Sequence, residues 1–212
     1  MTSKRKELQK LVEKLSKKKE IHFNRQQIEK LIYKFFDLHG GRTMMDKNHV
    51  VRMDRSMFRD VLYNYFSMTD DVLLDRVFRA FDKDSDNYIN VEEWVNGMSV
   101  FLRGNREEHT RFCFCAYDLN GDSYISREEM FQLLKTSLSR TSTDEDQDES
   151  IKELVEITLK KMDADHDGRV SFDDYKKGIE EDILMLEFLG PCLPEAKRCQ
   201  CFLEEIEQLG KY

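Results

Sequence analysis

FDKDSDNYINVEEW, residues 81–94, places carboxylates at Asp82, Asp84 and Asp86, on alternate positions, and closes with Glu93. Two further stretches repeat the arrangement, YDLNGDSYISREEM from residue 117 and MDADHDGRVSFDDY from residue 162. Aligned on their first Asp (82, 118 and 163), all three are preceded by apolar or neutral residues one, four and five places upstream. These are Phe81, Phe78 and Val77, then Tyr117, Phe114 and Cys113, then Met162, Leu159 and Thr158. Such spacing turns one face of a helix inward. The eighth loop residue is β-branched in every copy (Ile89, Ile125, Val170), and a second helical pattern follows, as in Trp94, Met98 and Phe101 or in Met130, Leu133 and Leu134. The repeating unit is helix, twelve-residue acidic loop, helix.

That unit resembles the EF-hand, because ligand types, the β-branched loop residue and both helices agree in register. Calcium is a hard ion that takes six to eight oxygens, drawn from the first, third, fifth, seventh (a backbone carbonyl), ninth and twelfth loop residues. The second hand offers Asp82, Asp84, Asp86, the Tyr88 carbonyl, Asn90 and Glu93. The third offers Asp118, Asn120, Asp122, the Tyr124 carbonyl, Ser126 and Glu129. The fourth offers Asp163, Asp165, Asp167, the Arg169 carbonyl, Ser171 and Asp174. Their departures from the pattern grade them. The sixth residue must adopt a left-handed conformation, which Gly168 does freely and Asn87 tolerates, whereas at Ser123 it costs about 1–2 kcal/mol. Asp174 is one methylene shorter than Glu, which hinders bidentate closure and favours Mg²⁺. Ca²⁺ is the expected ion throughout, with Mg²⁺ competing at the fourth hand.

A first hand follows from spacing. Ile89 and Ile125 are 36 residues apart, and 36 residues before Ile89 stands Met53, followed by Phe58, Val61, Leu62 and Tyr65 at helical intervals. Its closing ligand position holds Met57, and an overlong connection containing HGGR follows an incoming helix that ends near Asp37, so this hand is degenerate for metal. EF-hands bury their cores in pairs, so it should still serve as a structural partner. The expected fold is all-α and two-lobed, with four EF-hands in two pairs and short antiparallel bridges between paired loops. The expected organisation is a basic amphipathic helix over residues 1–22, an N-terminal pair over 23–103, a C-terminal pair over 104–190 and a helical extension over 191–212. The acidic stretch 141–150 in the second pair reads as a solvated, mobile insert. The extension, with Phe202, Ile206 and Leu209 on one face, is expected to cap the second lobe or to fill a target groove.

Composition narrows the function classes. The 212 residues carry a net charge of −8, but residues 1–19 hold eight basic side chains against Glu7 and Glu13. The acidic remainder argues against nucleic-acid binding and suits cations. Around Leu8, Leu11, Val12 and Leu15 the lysines form a basic face, either solvated over a docked helix or offered to an acidic polymer or membrane surface. No apolar run spans a bilayer, no secretion signal opens the chain, and Thr2 is incompatible with N-myristoylation, so a cytoplasmic protein without a membrane anchor is expected. Five cysteines read as reduced thiols. The five histidines form no ligand-spaced pair, and no P-loop, zinc-protease or nucleophile-elbow motif is present, so no enzyme is expected.

The whole chain resembles the neuronal-calcium-sensor-like branch of EF-hand proteins, with a silent first hand and a C-terminal extension. Within that branch GMSVFLRGNREEH, YDLNGDSYISREEMF and LVEITLKKMDADHDG look like the axonemal calcium sensors. This resemblance implies a calcium sensor that binds the outer-arm dynein heavy chain in the axoneme of cilia or flagella and alters motility. A calcium buffer and a regulatory subunit of a phosphatase or kinase are the alternatives.

Overall fold

Asn24, Asn90 and Asn105 start their helices in the same way: the side chain accepts from the third helical amide, and a Gln or Glu there returns the bond. Reciprocal capping of this kind satisfies two otherwise orphaned donors at once. In the computed structural model, which describes residues 3–40, 51–138 and 144–209, the helices are α1 (Ser3–Ser16), α2 (Arg25–Leu38), α3 (Arg55–Phe66), α4 (Asp71–Phe81), α5 (Val91–Arg103), α6 (Arg106–Tyr117), α7 (Arg127–Leu138), α8 (Asp144–Met162), α9 (Phe172–Glu181) and α10 (Ala196–Gln208). A 3₁₀ turn covers Ile183–Glu187. The fold is all-α with four EF-hands in two pairs. No helix among the described residues is long and apolar enough to cross a membrane.

Short antiparallel pairings join the loops. Met53 and Ile89 form an isolated bridge, with the Met53 amide 2.9 Å from the Ile89 carbonyl and the Ile89 amide 2.8 Å from that of Met53. Strands β1 (Tyr124–Ile125) and β2 (Val170–Ser171) pair Ile125 with Val170 and Tyr124 with Ser171. The register that spacing alone assigned to Met53 is thus the one adopted. Both pairings carry an arginine over a tyrosine: Arg52 Cζ lies 6.0 Å from the Tyr88 ring centroid, and Arg169 Cζ lies 4.1 Å from that of Tyr124.

The chain divides into two units. The first contains residues 1–68, 81–104 and 194–212. Its core joins Leu31 and Phe35 of α2, Phe58 and Phe66 of α3, and Phe81, Trp94 and Phe101 around the second hand. Trp94 is fully buried yet satisfied, because its indole N–H donates to the Leu31 carbonyl at 3.1 Å. Phe66 meets Phe101 edge-on at 5.2 Å, one of the preferred aromatic arrangements. Val12 and Leu15 of α1 are buried, and α1 packs on α2. The extension α10 packs against α2 and α3, with Phe202 5.4 Å from the Tyr65 ring and Glu205 2.6 Å from the buried Lys34 ammonium. Capping of the second lobe is therefore corrected: the apolar face of α10 finds its cover in the first unit.

The second unit contains residues 69–80 and 105–193. Assigning all of 23–103 to one lobe is corrected here, since most of α4 belongs with the third and fourth hands. Leu73, Leu74, Val77 and Phe78 of α4 are buried, a stripe wide enough to anchor a helix. The acidic insert is corrected in part as well. Residues 141–143 lie outside the described residues, but from Asp144 the chain is already helix α8. Within α8, Asp148 pairs with Lys135 of α7 at 2.8 Å.

Glycine is required at two matching places. A Cβ on Gly97 of α5 would lie 2.2 Å from the Phe81 ring, and one on Gly178 of α9 would lie 2.3 Å from the Met162 sulfur. Phe81 and Met162 are the residues immediately before the second and fourth loops, so these glycines let each incoming helix close on its outgoing one. The cysteines are thiols. Cys113 and Cys192 are buried with sulfurs 3.0 Å apart, and burial pushes the Cys113 thiol well above its usual range, assisted by Cys192.

Candidate metal centres

The capping residues of the outgoing helices and the last ligand positions of the loops are the same residues. In the second loop Asn90 accepts from the Glu92 and Glu93 amides at 2.9 and 3.0 Å, and Glu93 accepts from the Asn90 amide at 3.0 Å. In the third, Glu129 accepts from the amide and hydroxyl of Ser126, both at 2.8 Å. In the fourth, Asp174 accepts from the Ser171 amide at 3.1 Å and from its hydroxyl at 2.6 Å.

The loop backbone curls around its first carboxylate. Asp82 accepts from the amides of Asp86 and Asn87, Asp118 from those of Gly121, Asp122 and Ser123, and Asp163 from those of Asp167 and Gly168. Amide N–H groups turned inward favour the charged form of a carboxylate that they surround. Burial raises the Asp163 carboxyl, but the amides of Gly168, His166 and Asp167 outweigh it and leave the group below its ordinary value. The fifth residues follow the same rule: Asp86, Asp122 and Asp167 each accept from the amide two places on at 2.9 Å.

This curl needs left-handed backbone at two residues per loop, and sequence reading weighed only one of them. The sixth residues Asn87, Ser123 and Gly168 have φ of 64°, 71° and 86°. The fourth residues Ser85, Gly121 and His166 have φ of 58°, 79° and 61°. Such conformations cost non-glycine residues about 1–2 kcal/mol, with Asn the most tolerant. The second loop, whose side-chain ligands are complete, has no glycine at either position, whereas the third and fourth have one each.

Carboxylate oxygens of Asp82, Asp84 and Asp86 lie within 4.8 Å of one another, as do those of Asp163, Asp165 and Asp174. Hard oxygen donors gathered this closely fit a calcium or magnesium ion. The closing residues differ in reach. Glu93 accepts across its loop from the Lys83 and Asp84 amides at 2.8 and 3.2 Å, and Glu129 accepts from the Leu119 and Asn120 amides at 2.8 and 3.0 Å. Asp174 meets the Ala164 amide at 3.3 Å. The shorter side chain reaches less far across but stands beside the first two carboxylates of its own loop.

The first hand retains the frame without the charge. Asp54 caps α3 by accepting from the Met57 amide at 2.8 Å, but the Met57 side chain has no oxygen to return the bond. The Arg52 carbonyl, at the seventh loop position, lies 3.0 Å from His39 Nε2. The overlong connection, residues 41–50, lies outside the described residues. Arg52 itself reaches the paired loop, where its guanidinium donates to Asp86 at 2.6 Å, and Arg55 donates to the Asn87 side chain at 3.2 Å. No local pattern marks Arg52 and Arg55 as neighbours of the second loop; only the register of the Met53–Ile89 bridge brings them there.

Residues 107–180 match the EF-hand domain pair, and residues 73–101 match the EF hand domain. The chain is 53% identical to Calaxin of Homo sapiens over 193 residues, covering 91% of this chain and 90% of that protein. It is 51% identical to Calaxin of Xenopus laevis over 93% of this chain and 94% of that one. Calcineurin B of Schizosaccharomyces pombe is more distant, 31% identical over 73% of this chain and 80% of its own length. Three acid-rich loops in EF-hand register, a fourth that keeps only the frame, and half-identity along nine-tenths of the chain place this protein in the calaxin family of EF-hand calcium-binding proteins.

Proposed function

We propose that the protein is a calcium sensor whose second, third and fourth hands bind Ca²⁺ through the oxygens of Asp82, Asp84, Asp86, Tyr88, Asn90 and Glu93, of Asp118, Asn120, Asp122, Tyr124, Ser126 and Glu129, and of Asp163, Asp165, Asp167, Arg169, Ser171 and Asp174. The observation that carries this reading is the inward curl of each loop around its first Asp, closed by a carboxylate from the outgoing helix. A bound ion would supply the charge that lets the clustered carboxylates and the closing residue share one centre, drawing the outgoing helix toward the loop. The short reach of Asp174 favours the smaller six-coordinate Mg²⁺ in competition at the fourth hand.

The sensor output is Ca²⁺-dependent binding to an outer-arm dynein heavy chain in the axoneme of cilia or flagella, the role implied by resemblance to the axonemal sensors. An amphipathic segment with anchors at helical spacing is the form of target that an opened EF-hand groove receives. The exposed lysines of α1 and of the turn after it add a separate salt-dependent attraction to an acidic microtubule surface; Lys14 and Lys18 already face Glu92 at 2.6 and 4.0 Å and Lys17 faces Glu13 at 3.4 Å, leaving Lys6 and Lys10 outward. Binding of purified outer-arm dynein across a series of free Ca²⁺ concentrations tests the switch. The expected result is tighter binding at high Ca²⁺ and, by reciprocity, tighter Ca²⁺ binding in the presence of the target. Equal binding at every concentration would remove the switch.

A further inference from the structure

One carbonyl of the third loop is held from outside the loop. Leu119, the second loop residue, accepts at its carbonyl oxygen from Arg76 Nη1 at 2.7 Å and from Arg79 Nη1 at 3.2 Å, both on α4. The N–H of the same peptide group, that of Asn120, donates to Glu129 Oε1 at 3.0 Å, and the Leu119 amide joins it at 2.8 Å. Hydrogen bonds from guanidinium groups are shorter and stronger than neutral ones. A relay of hydrogen bonds therefore runs from two charged side chains of α4 through the Leu119–Asn120 peptide group to the closing carboxylate of the third hand.

The second and fourth loops are built differently at this position. Their second residues are Lys83 and Ala164, both exposed, whereas Leu119 is 8% exposed. Of the three acidic loops, the third alone has its second residue drawn into the protein, where α4 holds it. Residues 69–80, which carry both arginines, belong to the same unit as that loop. The same helix runs along the chain into Asp82, the first carboxylate of the second loop.

We propose that Arg76 and Arg79 are positioning residues for the calcium site of the third hand, and that through them occupancy of the second hand sets the affinity of the third. The inference rests on the calcium-binding reading above. Ligation at the second hand acts on Asp82 and so on the end of α4; the arginines transmit that setting to the Leu119–Asn120 peptide group, whose N–H competes with the ion for Glu129. Coupling of this kind is reciprocal, so the third hand acts equally on the second. Two guanidinium groups also repel a cation directly, but that repulsion is present whether or not the second hand is filled, which separates it from coupling.

The test is a calcium titration of the full chain followed by amide NMR, with Asn87 reporting the second hand, Gly121 and Ser123 the third, and Gly168 the fourth. Glu93→Gln, which removes a closing carboxylate at the second hand, is expected to move the third-hand midpoint by about fivefold, the lower end of typical coupling. In an Arg76→Gln/Arg79→Gln background the same change should move it by less than about twofold. Arg79 is exposed, so Arg79→Gln alone preserves the fold while removing one donor, and it should reduce the coupling part way with the Gly168 signal unchanged. A shift of equal size with and without the arginines overturns the proposal. So does the absence of any shift when Gly121 and Ser123 otherwise titrate normally. If those two signals ignore Ca²⁺ in the unaltered protein, the calcium-binding reading of the third hand fails first, and the coupling falls with it.

Discussion

The first and second loops sit in one unit, pair through one bridge and cap their outgoing helices with a side chain at the same register, Asp54 in one and Asn90 in the other. They differ at the residue three places on, where Glu93 closes its loop across to Lys83 and Asp84 while Met57 can close nothing. Where the second loop gathers three carboxylates, the first has tied its seventh carbonyl to His39 and turned an arginine toward its partner. Pairing and metal binding are therefore separable demands. A bridge and two buried helix faces satisfy the first; only clustered oxygens satisfy the second.

Met53→Ala attacks the shared frame and should have the largest effect. Met53 is fully buried, and truncating such a side chain costs about 2–5 kcal/mol. Denaturant unfolding in the presence of chelator measures this cost free of any ion; a change within error would mean that the degenerate hand supports nothing. Glu93→Gln attacks only the charge. Gln still caps a helix in this position, so stability without calcium should change little, while calorimetry should show Ca²⁺ affinity at the second hand falling more than tenfold, or about 1.4 kcal/mol. Glu129→Gln should do the same at the third hand. Unchanged affinity and stoichiometry in both variants would dismantle the loop assignment.

Smaller effects sharpen the comparison. Arg52→Gln removes a cation that holds Asp86 from the neighbouring loop. The two side chains are 44% and 32% exposed, and ion pairs this wet contribute about 0–1 kcal/mol. Calcium affinity of the second hand should accordingly rise by up to about fivefold; a decrease would show that Arg52 orders the site instead of competing with the ion. Asp174→Glu should raise the Ca²⁺ affinity of the fourth hand several-fold and weaken Mg²⁺ competition there, as read by paired titrations. The smallest change is expected from Met57→Glu, which completes the reciprocal cap of α3 and adds about 0.5–1 kcal/mol of stability. It should add no calcium site, since the seventh carbonyl of that loop is engaged by His39. An extra bound ion would show that one missing carboxylate was all that silenced the first hand.

Much of the fold was legible because an EF-hand is written in local pattern. Apolar intervals mark helix faces, the eighth loop residue marks the bridge, and a 36-residue step found Met53 although it is neither β-branched nor next to a recognisable loop. Asn90, Ser126 and Ser171 could be placed as ligand positions by counting, and the same count made them helix caps. Counting could not show that the fourth loop residues are left-handed, because Ser85 and His166 are poor advertisements for that conformation and only the curl around Asp82 and Asp163 requires it.

The sequence by itself determined the all-α class, the repeat, the candidate ligands and the degeneracy of the first hand, since each depends on residues within about a dozen positions of one another and on helix and loop geometry that every chain shares. Tertiary structure alone decided which surfaces those elements share. It took α4 into the unit of the third and fourth hands, laid α10 on α2 and α3, began α8 inside the acidic insert, and brought Arg52 to Asp86 and two arginines to Leu119. An amphipathic stripe states that it must be covered without naming its cover, and a long arginine side chain has many carbonyls and carboxylates within reach. Which partner prevails is settled by the packing of the whole unit, where burial of apolar area outweighs local preference.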